Sequence, residues 1–458
     1  MERITVDPIL IKKYNRPIPR YTSYPTVPFW NDQIERTGWE NAFTSQFDKE
    51  NHTNGISLYI HLPFCESLCT YCGCNKKITT NHSVEEAYLL AIEREWKLYR
   101  KLMNQTPIIR EIHLGGGTPT FFSPENLQRL LNIILKTSIV HPSPAFSIEG
   151  HPNNTTKAHL KVLHAMGFRR ISYGVQDNDP EVQKIINRIQ PLENVKQATE
   201  NARDVGFNSV NFDLIYGLPF QTVKSIERTF RETIALKPDR IAFYSYAHVP
   251  WTSHSQRLFD ESHLPDAEEK LKLYLTGKEQ LLANGYADIG MDHFALPHDK
   301  LYMAWKNGTL HRNFMGYTTQ NTGLLVGLGV SSISDIGIAF GQNTKALHDY
   351  YQSIHSGNLP VKKGYYLTGE DQDFRKYILD IACKGFTEFH SKNSGTLKRY
   401  SFPALDELAH DGLVEYTDRY ARLTVTGHYF IRNVCTAFDL KLRRNHSVVQ
   451  PQIFSKAV

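Results

Sequence analysis

Between residues 56 and 246 the chain repeats one pattern: a short apolar strand, a loop, an amphipathic helix, then another strand. Six strands are predicted, at residues 56–62, 111–114, 145–149, 170–175, 209–215 and 240–246. Helix punctuation separates them. Ser83 with Glu86 reads as a capping box ahead of Tyr88, Ile92 and Trp96 at helical spacing, and Ser123 precedes Pro124 at a first helical position. Gly167 and Gly206 stand where C-caps belong. Such alternation builds right-handed βαβ units on a parallel sheet. Six units fit an open, partial (β/α)6 barrel, whose working residues should collect where the strands end.

The first strand runs into YIHLPFCESLCTYCGCN (residues 59–75), which holds four of the chain's six cysteines: Cys65, Cys69, Cys72 and Cys74. Three of them have the spacing C-x3-C-x2-C. A [4Fe–4S] cube normally takes four cysteines, so a cube held by three keeps one iron free for an outside ligand. A structural zinc wants four ligands, usually as paired C-x2-C knuckles. Cys74 follows Cys72 by one residue, which is cramped for a closed tetrahedral site, and a disulfide is disfavoured further.

The other strand ends carry chemistry as well. The second strand enters GGGTP (residues 115–119), too short for a dinucleotide fingerprint and lacking the lysine of a P-loop. Its glycines let a backbone come close to something flat or charged. The third strand ends at Glu149, either a solvated loop acid or an acceptor for ribose hydroxyls. Gln176, Arg188 and Asp213 form a second polar set. Arg188 either answers a helix dipole or pairs bidentately with a carboxylate.

Flanking segments divide the rest. Residues 1–50 include KYNRPIPRYTSYPT, whose prolines favour an extended path. They are expected as an N-terminal arm, either packed over the surface or acting as a lid that carries Arg20, with a helix after Trp30. Residues 51–250 form the core. Residues 251–365, with a long helix predicted over 266–283, are a barrel extension and substrate pocket. His293 and His311, in this part, have no metal spacing. Residues 366–458 read as a helical, winged-helix-like cover. A nucleic-acid role is disfavoured, because its candidate recognition stretch is acidic and the net charge of +5 is small and dispersed. No apolar run approaches the ~20 residues of a membrane span, and the start lacks a signal-peptide pattern. Cys383 and Cys435, far apart in sequence, suit a reducing compartment. A cytoplasmic monomer is the expectation.

The spacing C-x3-C-x2-C with an aromatic residue before its last cysteine resembles the signature of the radical S-adenosylmethionine (SAM) superfamily, and the Gly-rich loop at the next strand end agrees with it. Together with KYNRPIPRYTSYPT, the extra GC after Cys72, GVQD, DLIYGLP, GMDHFA, HRNFMGYTT and RNVCTAFD, the chain resembles the family of oxygen-independent coproporphyrinogen III oxidases. That resemblance implies oxidative decarboxylation of two propionates to vinyl groups, giving protoporphyrinogen IX, with a low-potential reductant as partner. It also implies two SAM molecules. Cys65, Cys69 and Cys72 would hold the cluster. Tyr59, Gly116, Glu149 and Ile333 would contact the first SAM, and Tyr71, Gly117, Thr118, Gln176, Arg188, Asp213 and Ala247 the second. Cys74 would be a neighbouring non-ligand, and Arg20 would meet a propionate. His151 and Asn178 depart from the family's usual residues. The rival readings are a haem-carrying chaperone of the same superfamily, which resembles the family but lacks the arm and Cys74, and a winged-helix regulator with a sensing cluster.

Overall fold

The computed structural model describes residues 7–444 and 454–455, so the outermost ends of the expected arm and cover lie outside the described residues. Six strands of the main sheet run parallel and neighbour one another in chain order: β1 (Ile56–Leu62), β2 (Ile108–Gly116), β3 (Ile139–Gly150), β4 (Phe168–Gln176), β5 (Ser209–Tyr216) and β6 (Arg240–Ser245). They are the six expected. The sheet continues past them to twelve strands. β7 (Ala287–Gly290) and β8 (His293–Ala295) form a hairpin against β6, while β9 (Leu325–Leu328) lies parallel on the free side of β1. β10 (Ile333–Asp335), β11 (Ala339–Asn343) and β12 (Val361–Tyr366) then extend that edge antiparallel. With β1 paired to β2 and β9, and β6 to β5 and β8, the set does not close on itself. The result is the open, partial barrel. The added strands are mostly three to five residues long, too short for a periodicity signal, and they form because a preformed edge supplies their partners.

Period-two alternation divides the parallel strands into two faces. Ile56, Leu58, Ile60 and Leu62 of β1, Ile112 and Leu114 of β2, Ile171, Tyr173 and Val175 of β4, and Val210, Phe212 and Leu214 of β5 belong to one buried apolar cluster. Helices complete it: α1 (Arg36–Glu50) contributes Trp39, Phe43 and Phe47, and α2 (Val84–Leu102) contributes Tyr88, Ile92 and Trp96. Each such side chain is worth about 1.5–3 kcal/mol when fully buried. Alternate positions on the same strands are polar and bond to one another across the register. Ser57 Oγ donates to Glu111 at 2.8 Å, His113 Nδ1 meets Ser147 Oγ at 2.7 Å, and Asn211 donates to Ser172 at 2.7 Å. The concave face is therefore a hydrogen-bonded polar surface, whose groups remain buried because they are paired.

Most caps fall where the sequence puts them. Ser123 Oγ accepts from the Asn126 N–H and Gly206 ends its helix at φ +109°, while Asp266, expected as the first residue of a helix, is the N-cap of Ala267–Ala283 in a capping box. Ser83 is a correction. It occupies the N-cap of α2, but its side chain makes no cap bond, and Glu86 turns away to pair with Arg129. The Asn81 side chain instead accepts from the Ser83 N–H at 3.0 Å, so the turn before the helix does the capping.

The N-terminal arm begins with a short helix, Pro8–Tyr14, which takes in Lys13 and Tyr14 of the stretch expected to be extended. Ile11, Tyr14, Tyr21 and Tyr24 are buried in a second core with Phe374, Tyr377, Leu405, Phe430, Val434 and Phe438 from the C-terminal part. Polar bonds stitch the two together. Tyr21 donates to Asp439 at 3.1 Å, Asn433 to the Tyr14 carbonyl at 2.9 Å, and Arg432 to the carbonyls of Ile18 and Pro19. Beyond residue 366 stand the helices Gly369–Lys384 and Phe402–His410 and a three-stranded antiparallel sheet (Phe386–Glu388, Val414–Tyr416, Tyr420–Leu423).

Candidate active site

Cys65, Cys69 and Cys72 open onto one cavity of about 970 Å³ at the C-terminal ends of the parallel strands, at the upper end of the range for small-molecule sites. Their loop is held from several sides. The Thr118 hydroxyl donates to Cys65 Sγ at 3.3 Å, Arg188 Nη1 to Cys69 Sγ at 3.5 Å, and Ser253 Oγ to the Cys72 carbonyl at 3.1 Å. Burial pushes the Cys65 thiol up to about 11. Cys72 is drawn down from the usual thiol value, chiefly by a hydrogen bond from Cys74, which is itself pushed up. The thiolate is the form that binds metal. Among the described residues, no three His, Cys, Asp or Glu side chains close to the spacing of a single-ion site.

The Gly-rich loop is tight because protein, on one side, already fills the space. A β-carbon at position 117 would stand 2.6 Å from the Pro63 carbonyl oxygen, and one at 116, where φ is +121°, would stand 2.8 Å from the His61 ring. Backbone bonds from Gly117 to Leu62 and from Thr118 to Phe64 tie this loop to the chain entering the cysteines. His61 Nε2 meets the Asn75 carbonyl at 2.9 Å, which leaves Nδ1 to accept from the Tyr59 hydroxyl at 3.0 Å. Tyr59 is thus buried on β1 behind the cavity wall rather than lining it.

Glu149 and Asp213 lie within β3 and β5 rather than past their ends, and alternation turns both toward the polar face. The Glu149 carboxylate receives the Gly116 N–H at 3.2 Å and His113 Nε2 at 3.1 Å, and its side chain is 43% exposed to the cavity. Burial works against its charge, but these bonds hold it below the ordinary carboxylate value. Asp213 accepts from Ser172 at 3.0 Å and Asn211 at 2.8 Å. Burial, then the charge of Glu149, pushes it up to about 6. Two acceptors with opposite shifts therefore face the same space.

Gln176 ends β4 at φ +68°, a left-handed conformation uncommon for a side chain of this kind. Arg188 does not pair with a carboxylate. Its Nη2 donates to the Gly174 carbonyl at 2.6 Å and its Nη1 to Cys69, while its Nε is buried without a partner. Thus Cys65, Cys69, Cys72, Tyr71, Gly116, Gly117, Thr118, Glu149, Gln176, Arg188 and Asp213 share one cavity. Ala247 lies outside the lining, but Gln256 Nε2 bridges its carbonyl to that of Tyr71 at 3.1 and 2.9 Å. Ile333 also lies outside, packed near Trp30 and Phe340, with its carbonyl against Gly327, the β9 neighbour of Tyr59. His151, one of the two departures from the family pattern, lines the cavity as well.

Arg20 is elsewhere. It lines a second pocket of about 360 Å³ between the arm, the barrel and the C-terminal part, and its guanidinium donates to the Ser245 carbonyl at 2.7 Å. Arg312, Arg432 and Asp292 line this pocket too, and none of them was legible as a site residue. Tyr244 borders both spaces.

Residues 59–233, which span β1 to β5 and their cavity, match the model of the radical SAM superfamily. The oxygen-independent coproporphyrinogen III oxidase of Pseudomonas aeruginosa is 38% identical over 448 residues, covering 96% of each chain. The enzyme of that name from Escherichia coli is 36% identical over 469 residues, covering all of both. The chain belongs to the oxygen-independent coproporphyrinogen III oxidase family. A solved structure of coproporphyrinogen III oxidase (HemN) from Escherichia coli, described as a radical SAM enzyme, superposes with a TM-score of 0.88 at 35% identity, covering 96% of this chain and 100% of that one. Membership of an oxidase family within the radical SAM superfamily makes this an oxidoreductase of porphyrin and haem biosynthesis, with a [4Fe–4S] cluster and SAM as its cofactors. The residues present fit that pair: the three motif thiols line one cavity, with Cys74 as a fourth thiol beside them, and an orphaned guanidinium nitrogen and a charged acceptor lie within the same space.

Proposed function

We propose that the chain converts two propionates of coproporphyrinogen III to vinyl groups, giving protoporphyrinogen IX, with Cys65, Cys69 and Cys72 as the cluster ligands. Cys65, Cys69 and Cys72 would hold the cluster, which together with SAM would supply one-electron, hydrogen-abstracting chemistry at a propionate β-carbon, the electron released with carbon dioxide passing to an external acceptor. The chain's own residues bind and orient. Glu149, held ionised by His113 and the Gly116 N–H, accepts hydrogen bonds from the first SAM, with Tyr59, Gly116 and Ile333 around it. Tyr71, Gly117, Thr118, Gln176, Arg188, Asp213 and Ala247 serve a second SAM. The single observation that carries this reading is the gathering of the three motif cysteines with the acceptors Glu149 and Asp213 in one cavity.

Cys74, which opens onto the same cavity but follows Cys72 by a single residue, is assigned as a neighbour and not a ligand. A low-potential reductant feeds the site, and the enzyme works as a cytoplasmic monomer with no nucleic acid or membrane. No helix among the described residues is long and apolar enough to cross a bilayer.

Anaerobic incubation of the reconstituted protein with SAM, a strong reductant and coproporphyrinogen III tests the reading. Formation of 5′-deoxyadenosine, methionine, carbon dioxide and vinyl product is expected. Tight retention of haem without turnover would overturn it in favour of a haem-carrying chaperone, the rival that the arm and Cys74 speak against.

A further inference from the structure

Beyond Tyr244, on the far side from the cysteines, the second pocket gathers Arg20, Arg312 and Arg432 from three distant parts of the chain, with Asp292 as the one carboxylate among the described residues that line it. Arg312 is 7% exposed, yet its Nε and Nη1 have no hydrogen-bond partner, while its Nη2 reaches the Arg20 carbonyl at 3.4 Å. Its guanidinium lies 4.9 Å from the Tyr317 ring centre, which fixes the plane of the fork. Unmet buried donors on a charged group are costly, and a planar fork with free donors suits a carboxylate. The two histidines that line the pocket, His293 and His428, are both depressed by burial and carry no charge near neutrality. Among the described residues that line the pocket, three guanidinium groups stand with one carboxylate, so the lining favours an anion.

Resting on the functional reading above, we infer that this pocket is the anion subsite for the two propionate carboxylates that survive into the product, with Arg312 as the principal recognition residue beside Arg432 and Arg20. The substrate has four propionates. The one that reacts must reach the cavity with the cysteines, so a carboxylate-bearing edge of the same macrocycle is left to lie past Tyr244. The pocket's other wall is aromatic and apolar, including Phe314, Met315 and Phe430, which suits the macrocycle rim. Phe314 also touches Tyr59 edge-on at 5.0 Å, so the subsite abuts the wall of the proposed first-SAM site. Asp292 limits the positive charge.

The test uses the reconstituted holoenzyme and, as a stable probe, coproporphyrin III, read by fluorescence, alongside its tetramethyl ester. Arg312→Gln should weaken coproporphyrin III binding about 30-fold, the usual consequence of removing one partner of a buried charge pair. Binding of the ester, iron content and substrate-free 5′-deoxyadenosine formation should not change. Arg312→Lys should restore part of the affinity, and Asp292→Asn should tighten binding of the acid but not the ester. Equal loss of acid and ester binding in Arg312→Gln, or wild-type affinity for the acid, would overturn the proposal. Failure of the wild-type enzyme to make vinyl product would overturn the functional reading instead, because the dissociation constants report on the pocket alone.

Discussion

The two spaces that meet at Tyr244 are built on opposite plans. The cavity with the cysteines is assembled mainly from segments that are short in sequence and rigid in space: the loop after β1, the glycines at the end of β2, and strand residues turned inward by alternation. Backbone does much of the holding there. The arginine pocket is assembled from single residues at positions 20, 292, 312 and 432, each brought in by a different part of the fold, and side chains do the holding. A site that must grip an inorganic cluster gains from preorganised backbone, whereas one that must recognise mobile carboxylates gains from long cationic arms. One chain therefore solves two recognition problems with two materials.

Breaking the first space should be catastrophic. Serine at Cys65, Cys69 or Cys72 is expected to remove the iron and abolish 5′-deoxyadenosine formation, measured by iron assay and product analysis. Serine at Cys74 should leave the iron in place. Equal iron loss at Cys74 would make the ligand set four and erase the open corner on which the chemistry depends.

Glu149→Gln comes next. It keeps the shape and removes the charge that His113 and the Gly116 N–H support, so SAM binding by equilibrium dialysis should weaken about tenfold to hundredfold at unchanged iron content. Because the folded carboxyl titrates below its ordinary value of 4.5, the acceptor is ionised throughout the neutral range. The stability it lends is complete above that value and is lost only as pH falls through the depressed one. Unchanged SAM affinity would separate Glu149 from the cofactor.

Gly117→Ala is a smaller disturbance. Its β-carbon would meet backbone atoms, Pro63 O at 2.6 Å and Phe64 O at 2.9 Å, which have no rotamer to escape into. Overpacking of this kind costs about 1–3 kcal/mol. A lower unfolding midpoint together with incomplete iron loading is expected, because the loop that shifts is the one leading to Cys65.

The difference in plan also explains what could be read from the chain alone. The cysteine spacing, the glycine run and the six core strands were legible because each is a contiguous pattern, and Glu149 and Asp213 followed from the strands that carry them. Arg312 was not. It sits in a three-residue strand, His311–Asn313, with no periodicity to mark its face, and only the folded chain puts it beside Arg20 and Arg432. Arg188 was legible as a site residue but not in its bonding, since a helix dipole or a carboxylate partner was expected and a carbonyl and a sulfur were found. Ser83 and Glu86 matched a capping box, but Arg129 on the next helix drew Glu86 away. Local pattern fails where a long-range partner competes.

Gly174→Ala is the finest probe of how backbone and side chain divide the labour within the cavity itself. A β-carbon there would lie 2.5 Å from Gln176 Nε2 and 2.9 Å from Arg188 Nη2, both at the far ends of flexible side chains. The backbone should therefore stay in place, with a stability loss of about 1 kcal/mol for the one hydrogen bond given up. Position should suffer as well, since Arg188 must leave either the Gly174 carbonyl or Cys69 to make room. Losing one such hydrogen bond corresponds to about a twofold to tenfold drop in the rate of vinyl formation, with iron content untouched. Arg188→Lys, which keeps the charge but not the fork, should reproduce that drop without the added methyl group. If Gly174→Ala slows turnover and Arg188→Lys does not, the glycine acts through Gln176, and the interaction between Arg188 and Cys69 is incidental to the chemistry.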